Sequence, residues 1–134
     1  MEFPLGLKVP HLLQPYIAAF TKADPEAVAG CFAEEATLHL PDTAEPLVGR
    51  GAIQRHYEAF FHETPELVLH RVRYFQAPEE MVSISELTMA IPLLGPGRYL
   101  VATAQVYRFT PDGQIASVRT FVDTSGAVRM QQTP

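Results

Sequence analysis

The sequence predicts an α+β fold in which three helices pack on the concave side of one curved, mostly antiparallel sheet. Three observations carry this. Apolar residues recur at helical spacing twice in the first half, as Leu12, Leu13, Tyr16, Ile17 and Phe20 and again as Ile53, His56, Tyr57 and Phe60. After Pro65 the chain becomes four long segments of strand character, divided by Ala77-Pro78-Glu79, Gly95-Pro96-Gly97 and Pro111-Asp112-Gly113. Only one short strand pattern interrupts the helices, so the order is αα-β-α-ββββ. A chain of 134 residues fits one domain over 1–134, with a core of about 11–123 and room for a small-ligand cavity.

Each element has a local cause. The first helix is expected over 11–22, its regular part starting near Gln14 because Pro15 is tolerated only in a first turn. Asp24-Pro25-Glu26 is a helix start, with a capping side chain, a proline whose missing amide is harmless and an acid in the first turn. That second helix is expected to end near Glu34. A strand over 36–40 follows, closed by Pro41, with Leu38 and Leu40 on one face and Thr37 and His39 on the other. Residues 41–48 read as a loop, and Gly49-Arg50-Gly51 as a turn into a third helix over 52–61. Strands are expected at about 66–76, 80–91, 98–110 and 114–123. In the first of these, Val68, His70, Val72 and Tyr74 share one face, and Leu67, Leu69, Arg71 and Arg73 the other.

Composition excludes several functions. The formal charge of −5 gives no basic field for nucleic acid. The apolar run from Leu87 to Leu94 is broken by Thr88 and Pro92 and is too short for a membrane span. Glu2 and Pro4 stand where a secretory signal would be basic and then apolar, so a cytoplasmic protein is expected. The single cysteine, Cys31, lies in an apolar stretch and reads as a small buried hydrophobe. No metal is expected, since the five histidines fall on different elements. No cofactor is expected either: there is no glycine-rich phosphate loop, no Gly-x-Ser-x-Gly and no cysteine pair.

Leu12-Leu13-Gln14-Pro15-Tyr16-Ile17-Ala18-Ala19-Phe20, Asp24-Pro25-Glu26, Cys31-Phe32-Ala33-Glu34-Glu35-Ala36-Thr37 and Gly49-Arg50-Gly51-Ala52-Ile53 together resemble the opening of a SnoaL-like or ketosteroid isomerase-like protein. These belong to the nuclear-transport-factor-2-like (NTF2-like) superfamily, and the resemblance extends from about Leu12 to Asp123. It implies a cone-shaped fold. It also implies that Tyr16 matches the isomerases' enolate-binding tyrosine and Tyr57 the tyrosine that supports it. The isomerases' second donor, a protonated aspartate, matches Gln105, whose amide donates without needing a raised pKa. Their catalytic base is an aspartate just before a proline, and here that position is Leu40. Leu40 cannot take a proton, so steroid isomerisation by the family's route is not expected. Limonene epoxide hydrolases share the fold but need an Asp-Arg-Asp set that this sequence does not offer.

His56 is the leading replacement base, because it shares the apolar stripe of Tyr57 and histidine titrates near neutrality. Its plainer reading is a packed histidine at the helix–sheet rim. Asp42, in the loop after the first strand, is a second proton carrier or a solvated turn residue, and His39 faces away from Leu38 and Leu40. Periodicity places Phe20, Phe32, Leu38 and Leu40 around a pocket, with Leu87, Met89, Tyr107, Phe109, Val118 and Thr120 from the later strands. All are equally ordinary core positions. Glu86 faces outward if Ser85, Leu87 and Met89 face in, and Arg71 or Arg73 is then its partner, unless a bulge reverses the strand.

Two functions follow as expectations. One is an isomerase- or cyclase-type enzyme that polarises a carbonyl of a small hydrophobic molecule with Tyr16 and Gln105 while His56 or Asp42 moves a proton. The other is a non-catalytic carrier or interaction module whose pocket is filled by side chains. The resemblance also implies a homodimer through the outer sheet face, which fits strands that carry apolar residues on both faces.

Overall fold

The computed structural model describes residues 2–3 and 8–130. A 3-10 turn at His11–Leu13 leads into α1 at Gln14–Thr21, with Pro15 in its first turn as its chemistry requires. The helix α2 covers Pro25–Gly30, and the Asp24 carboxylate accepts from the Ala27 amide at 3.1 Å. Here the structure departs from expectation: α2 stops at Gly30, and β1 runs over Phe32–His39. Phe32 and Ala36 are both buried, and their separation of four imitates a helix. Residues four apart share a face in a strand as well, and a register shift between Phe32 and Thr37 accompanies the turning of both Glu34 and Glu35 out to solvent. Cys31 therefore lies at the end of α2, half-buried, with its thiol donating to the Ala27 carbonyl and held above its ordinary pKa by burial.

A two-residue strand, β2 at Leu47–Val48, lies inside the segment expected to be loop. It pairs antiparallel with Thr37 and Leu38. The helix α3 spans Arg50–Glu63 and starts from Gly49, whose φ of 92° only glycine takes without strain. Arg50 is held rather than free: its Nε and Nη2 donate to the Phe32 carbonyl at 3.1 and 2.7 Å, tying α3 to β1. The remaining strands are β3 at Val68–Gln76, β4 at Met81–Ala90, β5 at Arg98–Phe109, β6 at Ile115–Val122 and the short β7 at Val128–Arg129.

These strands form one sheet in the order β2-β1-β6-β5-β4-β3, with β7 beside β5. The pair β1–β6 is parallel and all other pairs are antiparallel. The helices cover one face. Leu13, Ile53, Phe32, Leu38, Tyr107 and Val118 are fully buried between them and the sheet, which makes this the principal core. Fully burying an apolar side chain of this size contributes about 1.5–3 kcal/mol.

A bulge between Leu69 and Arg71 corrects the expected faces of β3. Leu69 pairs with Leu87 and Val72 with Ser85, so Leu69 joins Val72 and Tyr74 on the inner face instead of Arg71 on the outer one. His70 is left at the bulge, where its Nε2 lies 2.6 Å from the Thr88 hydroxyl. Glu86 is exposed on the outer face opposite Arg71, yet the ion pair expected there does not form. The one ion pair among the described residues is Arg108 with Glu80, at 3.1 Å.

Candidate functional site

Tyr16 and Tyr57 meet because their helices are anchored at their starts. Pro15 fixes the first turn of α1, and Gly49 sets α3 so that Ile53 and Tyr57, one turn apart, both face inward. The two phenol oxygens are 2.9 Å apart in a buried setting. Whichever hydroxyl donates to the other, one phenolic hydrogen remains for a third oxygen. Phe20, Phe32 and Tyr107 close around Tyr16, with ring centroids 5.9, 6.1 and 5.9 Å away.

A second chain of hydrogen bonds runs across the sheet beside this pair. The Tyr107 hydroxyl donates to Gln105 Oε1, and Gln105 Nε2 donates to the Thr120 hydroxyl oxygen at 3.3 Å. Register explains the convergence: Gln105 lies opposite Ser83 on β4 and Thr120 on β6, and Tyr107 follows two residues later on the same face. An amide oxygen only accepts and an amide nitrogen only donates, so the chain has a direction. Thr120 keeps its own hydrogen, and Gln105 keeps one free N–H.

Burial pushes the Tyr16 and Tyr107 hydroxyls well above their ordinary pKa. For Tyr107, the neighbouring Ser83 and Tyr16 hydroxyls act against that push, and the charge effect of Tyr57 adds to it. Tyr57 is pushed up to about 12 by burial, with its hydrogen bond to Tyr16 opposing the push whichever hydroxyl donates. All three phenols are neutral donors near pH 7, and none is a base there. His56 has the opposite character. Burial holds it below the ordinary histidine range, while Asp42 and Glu63 pull it back up. Its ring lies 5.1 Å from Tyr57 and 6.2 Å from Phe60, centroid to centroid.

The structure thus brings together Tyr16, Tyr57, Tyr107, Gln105 and Thr120, with His56 against Tyr57 and Asp42 near enough to act on His56 through its charge. Phe20, Phe32, Leu38 and Val118 pack in or against the core cluster. Leu40 and Thr120 line a cavity of about 360 Å³ at the end of β1, whereas Phe109 lines a different one of about 430 Å³ near the β3–β4 turn. Leu87 and Met89 lie further along β4, opposite Val101 and Tyr99. Ser83 went unrecognised in the sequence. Its inward alternation with Met81 was visible, but its place opposite Gln105 depends on pairing register.

A SnoaL-like domain family matches residues 13–118 of this chain. The chain belongs to the SnoaL-like family. This SnoaL-like chain is 34% identical over 117 residues to a steroid Δ-isomerase of Nocardioides simplex, a match covering 87% of this chain and 91% of the isomerase. Its fold is similar to that of SalBIII, an epoxide hydrolase/cyclase-like enzyme with a role in pyran ring formation in the polyether salinomycin. There the TM-score is 0.71 at 20% identity, over 89% of this chain and 93% of that one. An NTF2-like protein of unknown function from Burkholderia pseudomallei shares the fold with a TM-score of 0.71 at 15% identity, covering 85% and 89% of the two chains. Among the described residues of this SnoaL-like chain, no helix is long and apolar enough to cross a membrane.

Proposed function

We propose that this SnoaL-like chain is an isomerase- or cyclase-type enzyme that holds a carbonyl oxygen of a small hydrophobic molecule at the tyrosine cluster. The observation that carries the reading is the buried 2.9 Å contact between the Tyr16 and Tyr57 hydroxyls, with the directed Tyr107–Gln105–Thr120 chain beside it. Fixed neutral donors stabilise charge as it develops on an oxygen, and in a dry site they do so with little reorganisation. His56, neutral because it is buried, is the group that accepts a proton, and Asp42 stabilises the imidazolium that results. The isomerase activity of the Nocardioides simplex relative and the cyclase-like character of SalBIII both fit chemistry at a polarised oxygen. With Leu40 in the base position, the proton is moved from the helix side.

The test is titration with 2-naphthol, a phenol that mimics an enolate, followed by its own fluorescence. Tyr16→Phe removes a donor to an ionised oxygen, worth about 1.5–3 kcal/mol, or roughly ten- to hundredfold in affinity. Equal affinity in both proteins would sink the reading.

One observation favours a second, non-catalytic reading. Tyr16, Tyr57 and Tyr107 are 3%, 4% and 1% exposed, and neither Tyr16 nor Tyr57 lines the two cavities described above. A filled cone of this kind serves an interaction module, whereas a carrier needs an open interior. On that reading naphthol does not protect the Tyr16 and Tyr57 region from hydrogen exchange.

A further inference from the structure

Register lays the inner face of the sheet out in rows that run across the strands, one row for every second residue of β4 and β5. The row beside the tyrosine cluster is Tyr74, Ser83, Gln105 and Thr120. The next is Val72, Ser85, Thr103 and Val122, and the one beyond is Leu69, Leu87 and Val101. Burial changes between the first two rows. Ser83 is 4% exposed, whereas Ser85 and Thr103 are half-buried, as are Val72, Leu87 and Val122. Solvent therefore reaches the second row along the concave face.

Ser85 and Thr103 lie directly opposite each other on β4 and β5, which puts their β-carbons about 5 Å apart. Neither hydroxyl makes a hydrogen bond to another of the described residues. Val72 and Val122 flank the pair, and Leu87 and Val101 follow it, so two unpaired hydroxyls stand in an apolar wall. In the free protein they are left to solvent. A ligand lying on this wall displaces that solvent and must offer an oxygen in its place. A serine and a threonine hydroxyl each donate and accept, and no charged side chain shares their row. They suit a ketone or hydroxyl oxygen and give a carboxylate or phosphate nothing to balance its charge.

We infer that Ser85 and Thr103 form a second subsite for a neutral oxygen, about 7 Å along the sheet from the row of Gln105, so that the ligand is a doubly oxygenated apolar molecule. The subsite rests on the carbonyl reading only for where the first oxygen is held.

The experiment is calorimetric titration of the full chain with 2,6-dihydroxynaphthalene and with 6-methyl-2-naphthol, which carries a methyl group in place of the second oxygen. The diol is expected to bind about three- to tenfold more tightly, as one added hydrogen-bonded group requires. Thr103→Val keeps the shape and removes most of that preference, Ser85→Ala lowers it, and Thr103→Ser retains it. The symmetry of the diol favours it alike in every variant, so the variants decide. Tyr16→Phe weakens both probes together and leaves the preference intact. Equal affinity of the wild type for the two probes, or a preference unchanged in Thr103→Val and Ser85→Ala, overturns the subsite and leaves the carbonyl reading standing. If Tyr16→Phe affects neither probe while Thr103→Val still abolishes the preference, the subsite holds and the carbonyl reading falls. Binding of neither probe overturns both.

Discussion

Neutral phenols in a dry cluster grip an oxygen well and remove protons poorly, and the residues around Tyr16 divide those tasks. Tyr107 is the residue on which the sheet side of the cluster depends. Tyr107→Phe keeps the ring's packing but takes the donor from Gln105 Oε1, and the expected loss of stability is about 1–3 kcal/mol, read from urea unfolding. An effect within error would mean that the amide finds water instead. His56 makes a prediction with a sign. Its folded pKa is lowered, so the unfolded chain binds the proton more readily. The stability it contributes is complete above the unfolded value of about 6.5 and is lost as pH falls through the lower folded value. Wild-type protein should therefore lose more stability than His56→Gln between about pH 7.5 and 5.5. Parallel loss in the two proteins would show that the ring is not desolvated. If His56 is also the proton acceptor, turnover declines over that same acid range, because only the neutral imidazole accepts.

At the scale of elements, the cap of α2 is the simplest lever. Asp24→Ala should cost about 1 kcal/mol, seen as a lower thermal midpoint, and Asp24→Asn should recover most of it. Elements with a strong local cause were legible in the sequence. Pro15, Asp24-Pro25 and Gly49 marked the helix starts, and the turn tripeptides separated the four long strands. Elements defined by a partner were not legible. Leu47–Val48 and Val128–Arg129 are strands only because β1 and β5 offer edges to them. The segment from Phe32 to Ala36 carries good helix formers, and tertiary pairing with β6 overrides them. The bulge beside His70 reversed Leu69 for the same kind of reason, since nothing local announces a register shift. The site follows this division. Tyr16 and Tyr57 could be found from helical stripes, whereas Ser83 joins them only through strand register.

At the scale of the molecule, the outer sheet face is the feature without a described neighbour. Phe75, Ile84 and Phe121 are each about half exposed. Register groups them with Val82, Ala104 and Val106, between Arg73 on one side and Arg119 on the other, with Glu86 beside Arg71. We propose that a second copy of the chain covers this face, since an antiparallel stack of two such faces sets acid against arginine around an apolar centre. Sedimentation equilibrium should give a dimer at micromolar concentration, and Ile84→Asp should give a folded monomer. A wild-type monomer would refute it. The parallel pairing of β1 with β6 has a consequence in time. Phe32 and Leu38 meet Ile115 and Val118 only when the two ends of the domain come together. During synthesis, the helices and β1 must wait, with their apolar sides uncovered, until almost the last strand has left the ribosome. Contacts so distant along the chain make folding slow, and a nascent chain halted before Ile115 is a natural client for chaperones.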